Sequence, residues 1–395
     1  MMLLVGWVAV FVVGVIIGGG AVGVFWWAYA TVVEEEARDP LAELKIADES
    51  LSREQVDAFI QQLGKRYHDE ASACLVVAAV VAEDSRYFTF GKLPNGSEPD
   101  KQTIFELASV GKTMTGLLFA EMIQRGEVTA EMSVESLLPP ETAGVRFEGK
   151  TISLLDLATQ SSGLVSVPGN MPAKNPLNPY ADYTVPLLYE ELRSTKLEFP
   201  PGRGYHYSNL GFGLLGHVLA LKADQDYESL IVQRICEPLG MSDTRMKLTD
   251  DQRSRVATPH DGGQPVEVWE DVTMAGAGSF LSSAEDMARY LRSYWSHREG
   301  PLGPVLSLAV KKHRRTNTPS TSIGFGWHID SENAFDIVWH NGGSGGSRSY
   351  VAMLPERQMG VCVLANWSQA NVDELGRKLM YLLSLQQRMV PQPVE

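Results

Sequence analysis

The stretch FELASVGKTMTGLLFA, residues 105–120, gives the clearest clue to the fold, because it places a serine and a lysine three positions apart on one apolar helix. Side chains at i and i+3 share a helix face, so the Lys112 amine can reach the Ser109 hydroxyl. A serine hydroxyl is a weak nucleophile until a base takes its proton, and a lysine becomes such a base when burial lowers its pKa. We predict a helix from about Ser109 to Arg125, with Ser109 at its positive end. The spacing alone is weak, although it occurs only once in the chain.

Two further motifs follow downstream, Tyr207-Ser208-Asn209 and His340-Asn341-Gly342-Gly343. A tyrosine beside a cation can act as a phenolate-like base, and an asparagine amide can orient a substrate carbonyl. The glycines follow a β-type run, so a substrate backbone could pair closely with this segment as with an edge strand. The backbone N–H of Gly343 could then form an oxyanion hole with that of Ser109.

In order and context these motifs resemble the serine β-lactamase and penicillin-binding protein superfamily, nearest the class C β-lactamases, the DD-peptidases and the family VIII carboxylesterases. The resemblance covers most of residues 50–370, including 105–109, 151–163, 201–216, 238–244, 324–327 and 340–346. It implies an α/β (α+β) fold: an antiparallel sheet flanked by helices, with an inserted all-helical subdomain.

The resemblance also implies roles for individual residues. It makes Ser109 the acylated nucleophile, with Lys112 as its activator. It makes Tyr207 the general base and leaving-group acid, and Asn209 a contact to the substrate amide. His340 and Gly342 stand where the family has its Lys-Thr-Gly triplet or a His-Thr-Gly variant.

The third motif departs from the family pattern. A histidine is only partly charged near neutral pH, so we expect His340 to be a weaker partner for a substrate carboxylate than lysine. Asn341 cannot act as a cation, which weakens the case for efficient β-lactam hydrolysis. Arg348 could replace the missing charge, but we interpret it as a surface arginine.

The amino terminus predicts a membrane anchor. Residues 3–33 are apolar or small without interruption and carry no charge. A helix of that length, at about 1.5 Å per residue, spans a bilayer core of roughly 30 Å. A cleaved signal peptide is the alternative, because residues 28–30 read Ala-Tyr-Ala. We expect lipid contact through residues 3–33, with the catalytic part on the extracytoplasmic side of the membrane.

The rest of the chain divides into a linker at residues 34–50 and a hydrolase domain at 51–390. We expect its α/β part at residues 51–135 and 290–390, around a helical insert at 136–289. Hydrophobic periodicity predicts a helix over 51–70 and strands within 75–90. Further strands are expected at Phe325–Ile329, Ile337–His340, Ser349–Leu354 and Val361–Ala365, followed by a last helix over 371–388.

Composition excludes other classes of function. The net charge of −14 disfavours nucleic acid as a partner, because an acidic body repels phosphates. The three cysteines, Cys74, Cys236 and Cys362, are far apart and suggest buried packing residues rather than a metal site or disulfides. Ser, Lys and Tyr supply the acid–base chemistry, so we expect neither a metal nor a cofactor.

Several interpretations remain open. The segment Gly342–Gly346 matches the G-x-S-x-G elbow around Ser344, but no histidine follows it to complete that triad, so Ser344 is not predicted to be a nucleophile. The substrate of Ser109 could be a D-amino-acid peptide, a β-lactam or a small ester. A different class of function is a membrane-tethered penicillin sensor that does not turn over. The intact set of Ser109, Lys112, Tyr207 and Asn209 favours an enzyme.

Overall fold

The computed structural model describes residues 51–68, 73–142, 146–172, 178–332 and 335–386. Within these ranges no helix is both long and apolar enough to cross a bilayer. The predicted anchor at residues 3–33 and the linker at 34–50 lie outside the described residues.

Ten α-helices and fourteen strands are described. The helices are α1 Arg53–Tyr67, α2 Gly111–Gln124, α3 Leu154–Ala158, α4 Val185–Ser194, α5 Asn209–Ala223, α6 Tyr227–Ile231, α7 Asp250–Ser254, α8 Ala284–Ser296, α9 Gly303–Ala309 and α10 Val372–Ser384. The strands are β1 Cys74–Val81, β2 Asp84–Gly91, β3 Ile104–Glu106, β4 Arg146–Phe147, β5 Lys150–Thr151, β6 His260–Asp261, β7 Gln264–Pro265, β8 Leu281–Ser283, β9 Arg314–Arg315, β10 Thr321–Ile323, β11 His328–Glu332, β12 Phe335–Gly343, β13 Arg348–Leu354 and β14 Met359–Ala365.

The core of the fold is an eight-stranded antiparallel sheet built from both ends of the domain, as the sequence predicts. Its strand order is β2-β1-β14-β13-β12-β11-β10-β9. Strand β1, with the sequence CLVVAAVV, is buried on both faces because helices cover both sides of the sheet. Helices α1 and α10 pack on one face, while α8 packs on the other beside the central helix α2.

Helix α2 is buried almost throughout, since twelve of its fourteen residues are enclosed. It approaches the chain at Phe325 so closely that a Cβ on Gly116 would lie 2.0 Å from the Phe325 carbonyl oxygen. The predicted strand Phe325–Ile329 is wrong in its first half for a related reason. Gly326 has φ +73°, and a Cβ there would lie 2.4 Å from the Lys112 carbonyl oxygen. The chain therefore turns at 324–327, between β10 and β11.

The insert differs from the all-helical subdomain expected from the sequence. It carries two small hairpins, β4–β5 and β6–β7, and its strand β8 pairs with β3 of the α/β part. Positive φ angles at Glu148, Gly149, Gly262 and Gly263 permit the tight turns of the two hairpins. The expected boundary at 289/290 falls inside α8, which continues because its apolar side packs on β1 and β14.

Candidate active site

Ser109 occupies the turn between β3 and α2. Residues Ala108–Val110 form one turn of 3₁₀ helix, and Ala108 adopts a left-handed φ of 44°. This conformation is rare for a residue with a side chain and stores strain beside the nucleophile. Space around the turn is tight, because a Cβ on Gly278 would lie 2.3 Å from the Ala108 carbonyl oxygen. Ser109 itself remains partly exposed, whereas its neighbours in the turn are buried.

Lys112 lies one helical turn further on and is fully buried, at 0% exposure. Its Nζ is 2.9 Å from Ser109 Oγ, 2.7 Å from Asn209 Oδ1 and 2.6 Å from the Ala277 carbonyl oxygen. Burial lowers the pKa of the Lys112 amine well below its usual value. The predicted contact between the amine and the hydroxyl is therefore present in the geometry.

Tyr207 and Asn209 arrive from the start of α5. The Lys112 Nζ lies 4.9 Å from the centre of the Tyr207 ring, and the Tyr207 side chain lies close enough to Ser109 to interact with it. Burial raises the pKa of the Tyr207 phenol, an effect that the neighbouring Ser109 side chain only partly opposes. The phenol is thus protonated at neutral pH, which suits a proton donor better than the resting general base implied by the family resemblance. Asn209 also donates its amide to the Tyr180 hydroxyl over 3.1 Å.

The third motif lies at the end of β12, where the sheet opens. Strand β11 begins at His328, opposite Trp339, so residues 340–343 pair with β13 only. The Ser109 turn packs on the face of β12 at Gly342, since a Cβ on Gly342 would lie 3.0 Å from the Ser109 backbone nitrogen and 2.3 Å from the Leu107 carbonyl oxygen. Only glycine permits this approach, and it places the β12 end beside the Ser109 N–H.

His340 is buried at 1% exposure beside Tyr207, with their ring centres 6.1 Å apart. Burial, the neighbouring His328 and Lys112 all lower the pKa of His340 well below its usual value. The expectation that His340 is partly charged near neutral pH is therefore wrong. Its Nδ1 lies 2.6 Å from the Asn341 carbonyl oxygen, which can only accept, so Nδ1 carries the proton.

His328 and Tyr205 extend this part of the site, and sequence reasoning missed both. The His328 ring lies 5.2 Å from that of His340, and its Nε2 lies 2.9 Å from the Tyr205 hydroxyl. Burial and Lys112 lower the pKa of His328 to about 4. The sequence offers one signal for a role in the site: His328 directly follows the segment 324–327, and Tyr205 lies two positions before the motif 207–209.

Asn341 and Arg348 lie on the opposite side of the strands, towards α10. The Asn341 side chain lies close to Asp373, the second residue of α10, and opposes the rise that burial causes in the pKa of the Asp373 carboxyl group. Arg348 is half-buried rather than a surface residue, and its Nη1 donates to the carbonyl oxygens of Ser344 and Ser347, each over 3.0 Å. Arg348 therefore braces the β12–β13 hairpin, which corrects its interpretation as a surface arginine.

Two buried carboxyl groups hold the loops around the site, and sequence reasoning did not assign a role to either. Glu106 accepts hydrogen bonds from Ser344, Ser347 and the Trp269 backbone. Asp271 accepts one from the Met274 backbone N–H over 2.7 Å, in the loop that carries Ala277. Burial raises the pKa of Glu106 and raises that of Asp271 to about 7.

Comparisons with known proteins identify the family. The family model described as Beta-lactamase matches residues 56–385. The chain belongs to the β-lactamase family. It is therefore a serine hydrolase of the β-lactamase/DD-peptidase type.

Two relatives of this β-lactamase-family chain come from Escherichia coli K12. The D-alanyl-D-alanine-carboxypeptidase/endopeptidase AmpH is 26% identical over 330 residues, covering 78% of this chain and 85% of AmpH. A protein named Beta-lactamase is 25% identical over 346 residues, covering 79% of this chain and 89% of the relative. A crystal structure of a β-lactamase/D-alanine carboxypeptidase from Yersinia pestis, complexed with citrate, superposes with a TM-score of 0.72 at 22% identity. That match covers 83% of this chain and 98% of the other and supports the fold.

Proposed function

We propose that this protein is a membrane-anchored hydrolase that acylates Ser109 with peptide-like substrates and then hydrolyses the acyl-enzyme. A DD-peptidase or penicillin-binding role is favoured. Similarity to AmpH over most of both chains supports a peptide substrate. The chemistry depends on Ser109, Lys112 and Tyr207, with Asn209 contacting the substrate amide.

The surroundings of Lys112 carry this proposal. A neutral amine has two N–H bonds and one lone pair. The Ala277 carbonyl oxygen and Asn209 Oδ1 accept at 2.6 and 2.7 Å, which uses both N–H bonds. The lone pair is then left for the Ser109 hydroxyl at 2.9 Å. Lys112 therefore takes the Ser109 proton as Oγ attacks the substrate carbonyl carbon.

Tyr207 completes the proton transfers. As the tetrahedral intermediate collapses, the bond to the leaving group breaks and the Tyr207 phenol gives that group its proton. Lys112, 4.9 Å from the centre of the Tyr207 ring, returns the proton taken from Ser109 to Tyr207. The N–H groups of Ser109 and Gly343 hold the oxyanion. Water then attacks the ester, with the same groups working in reverse.

An esterase of the family VIII type is the second candidate, and the state of His340 favours it. Because burial, His328 and Lys112 keep this imidazole neutral, it offers no positive charge to a substrate carboxylate. Esters and internal peptide bonds need no such charge. The same observation argues against efficient turnover of β-lactams, which carry a carboxylate.

The membrane anchor is a separate part of the proposal and rests on residues 3–33 alone. We propose that this segment is retained and that the catalytic domain lies on the extracytoplasmic side. Protease added to intact cells should then degrade the domain while a cytoplasmic marker survives. Complete protection of the domain in cells with a permeable outer layer would contradict the proposed topology.

The chemistry is tested on the full-length protein in detergent, mixed with excess penicillin and followed by intact mass spectrometry. We expect an adduct of one penicillin that is absent from Ser109→Ala. A long-lived adduct supports a penicillin-binding role. If neither penicillin nor p-nitrophenyl acetate acylates the wild type, or if Ser109→Ala is acylated equally, the proposed function is wrong.

A further inference from the structure

Glu106 is a buried carboxyl group to which the catalytic proposal gives no task. It is the last residue of β3, three positions before Ser109, and is 5% exposed. Burial raises the pKa of its carboxyl group, and three hydrogen bonds oppose that effect. Burying a carboxyl group costs free energy unless its oxygens are hydrogen-bonded, so this arrangement needs a reason.

The three donors to Glu106 come from two distant parts of the chain. Ser344 Oγ and Ser347 Oγ donate to Glu106 Oε2 over 2.7 and 2.8 Å. The Trp269 backbone N–H donates to Oε1 over 2.8 Å. Both carboxyl oxygens are thus used, and two of the three bonds go to the short turn that joins β12 to β13.

That turn holds Gly343 in place. Ser344 directly follows Gly343, and Gly343 pairs with Arg348 at the start of β13. The turn is closed by the Ser344 N–H, which donates to the Ser347 carbonyl oxygen over 3.1 Å. Arg348 braces the same turn by donating to two of its carbonyl oxygens. Glu106 is the group that ties this turn to the strand leading into Ser109.

A second tether lies on the other side of Gly343. Ser349 donates its hydroxyl to the Leu107 carbonyl oxygen over 2.6 Å, and Gly342 packs on the same carbonyl. Residues 106 and 107, immediately before the nucleophile, therefore hold the hairpin on both sides of Gly343. These contacts connect the backbone on both sides of Gly343 to the residues just before Ser109.

We propose that Glu106 is a positioning residue for the oxyanion hole, holding the Gly343 N–H at the separation from the Ser109 N–H that the tetrahedral intermediate needs. This inference rests on the proposed function, which makes Ser109 the nucleophile. Glu106 does not touch the substrate. It acts through Ser344 and Ser347 on the backbone of the hairpin. A misplaced N–H donor stabilises the tetrahedral transition state less well, whereas binding of the ground state does not depend on that donor.

The test compares Glu106→Gln with Asp286→Asn in the full-length protein. Glutamine keeps the shape of Glu106 but cannot accept from both serines and from Trp269 with separate oxygens. Asp286 is a matched control, because it is a carboxyl group 1% exposed whose hydrogen bonds come from the Asp243 N–H, Thr244 and Arg289 and not from the β12–β13 turn. The readouts are kcat and KM for p-nitrophenyl acetate, the inhibition constant of phenylboronic acid, which forms a tetrahedral adduct with a serine, and Tm.

For Glu106→Gln we expect kcat to fall about tenfold with KM within twofold, since complete loss of one oxyanion donor costs about 10²–10³ in kcat. Phenylboronic acid should bind about tenfold more weakly. Asp286→Asn should lower Tm and leave both quantities within twofold. Ser347→Ala, which removes one donor only, should show a smaller effect of the same kind and serves if Glu106→Gln does not fold.

The proposal is overturned if Glu106→Gln lowers kcat no more than Asp286→Asn does. It is also overturned if kcat falls while boronic acid affinity is unchanged, because the oxyanion hole would then be intact. Either result would leave the proposed function standing, provided that Ser109→Ala abolishes hydrolysis. If Ser109→Ala remains active, the proposed function itself fails.

Discussion

Two helices on opposite sides of the sheet each bury a lysine, and the two lysines have different surroundings. Lys112 in α2 is 0% exposed, and its hydrogen-bond partners are a hydroxyl, an amide oxygen and a backbone carbonyl oxygen. Lys378 in α10 is 9% exposed and forms an ion pair with Glu374 over 3.1 Å. It also lies 5.4 Å from the centre of the Tyr67 ring.

The comparison shows how the same side chain serves two purposes. The Lys378 amine pairs with Glu374 one turn away and lies over the Tyr67 ring, and so helps to join α10 to α1. Neutral dipoles hold the amine in place without favouring its charge, so burial lowers the pKa of Lys112 and leaves a base. Burial alone does not mark a catalytic lysine. Burial with neutral acceptors beside a serine does.

The largest expected effect comes from removing each amine in turn. Lys112→Met should lower kcat for p-nitrophenyl acetate by about 10³, because general base catalysis contributes 10²–10⁴. Tm should stay the same or rise, since an apolar side chain replaces a buried amine. Lys378→Met should leave kcat within twofold and lower Tm. Steady-state kinetics and thermal melting of both variants check this, and equal losses of activity would contradict the comparison.

Two tyrosines on opposite sides of the sheet offer the next comparison. Tyr207→Phe removes the proposed proton donor and should lower kcat about 100-fold. Tyr350 lies on the α10 side, is 1% exposed and stacks on Trp339 with ring centres 6.1 Å apart. Tyr350→Phe should leave kcat within twofold. Undiminished hydrolysis by Tyr207→Phe, measured with a peptide substrate that needs a protonated leaving group, would refute the role given to Tyr207.

Much of the site could be predicted because its signals are local. Ser109 and Lys112 are one helical turn apart, so their contact follows from helix geometry once α2 is recognised. Tyr207 and Asn209 were found as a short motif. The Ala277 carbonyl oxygen that receives Lys112 could not be found in this way, because a backbone acceptor is available at every position and only the fold selects it.

The missed and misjudged residues share a dependence on long-range contacts. The neutrality of His340 follows from its burial and from His328 and Lys112, which a residue-type argument cannot supply. Glu106 was noticed only as part of a motif, since its serine partners are more than 200 positions away. The predicted strand Phe325–Ile329 begins too early, at residues 325–327, because a hairpin turn packed on α2 is as apolar as a strand.

A smaller effect is expected from substitutions at His340 and Asn341, whose side chains lie on opposite sides of β12. His340→Lys places an ammonium group beside Tyr207 and should improve kcat/KM for a peptide with a free carboxylate, relative to its methyl ester, by about tenfold. Hydrogen bonds to charged groups contribute about 1.5–3 kcal/mol, which is enough for this change. Asn341→Lys, on the α10 side, should not alter the ratio. If both variants changed this kcat/KM ratio equally, the substrate carboxylate would not be bound specifically on the His340 side of β12.

The smallest expected effect concerns stability and Asp271. Burial raises the pKa of Asp271 from 3.8 to about 7, so between these values the folded state keeps a proton that the unfolded state has released. The free energy of unfolding therefore falls as pH rises through this window. Asp271→Asn does not titrate and retains an acceptor for the Met274 N–H. The difference in Tm, wild type minus Asp271→Asn, should fall from pH 4 to pH 7 and then level off.

Asp243 provides the control with the opposite sign. Its hydrogen bonds to Arg255 lower the pKa of the Asp243 carboxyl group, so its contribution to stability is complete above the unfolded value and is lost as pH falls. The difference in Tm, wild type minus Asp243→Asn, should therefore be positive at pH 7 and shrink below about pH 4. If both differences change in the same direction with pH, titration of Asp271 is not the cause. The loop that carries Ala277 would then owe its stability to packing rather than to the protonated carboxyl group.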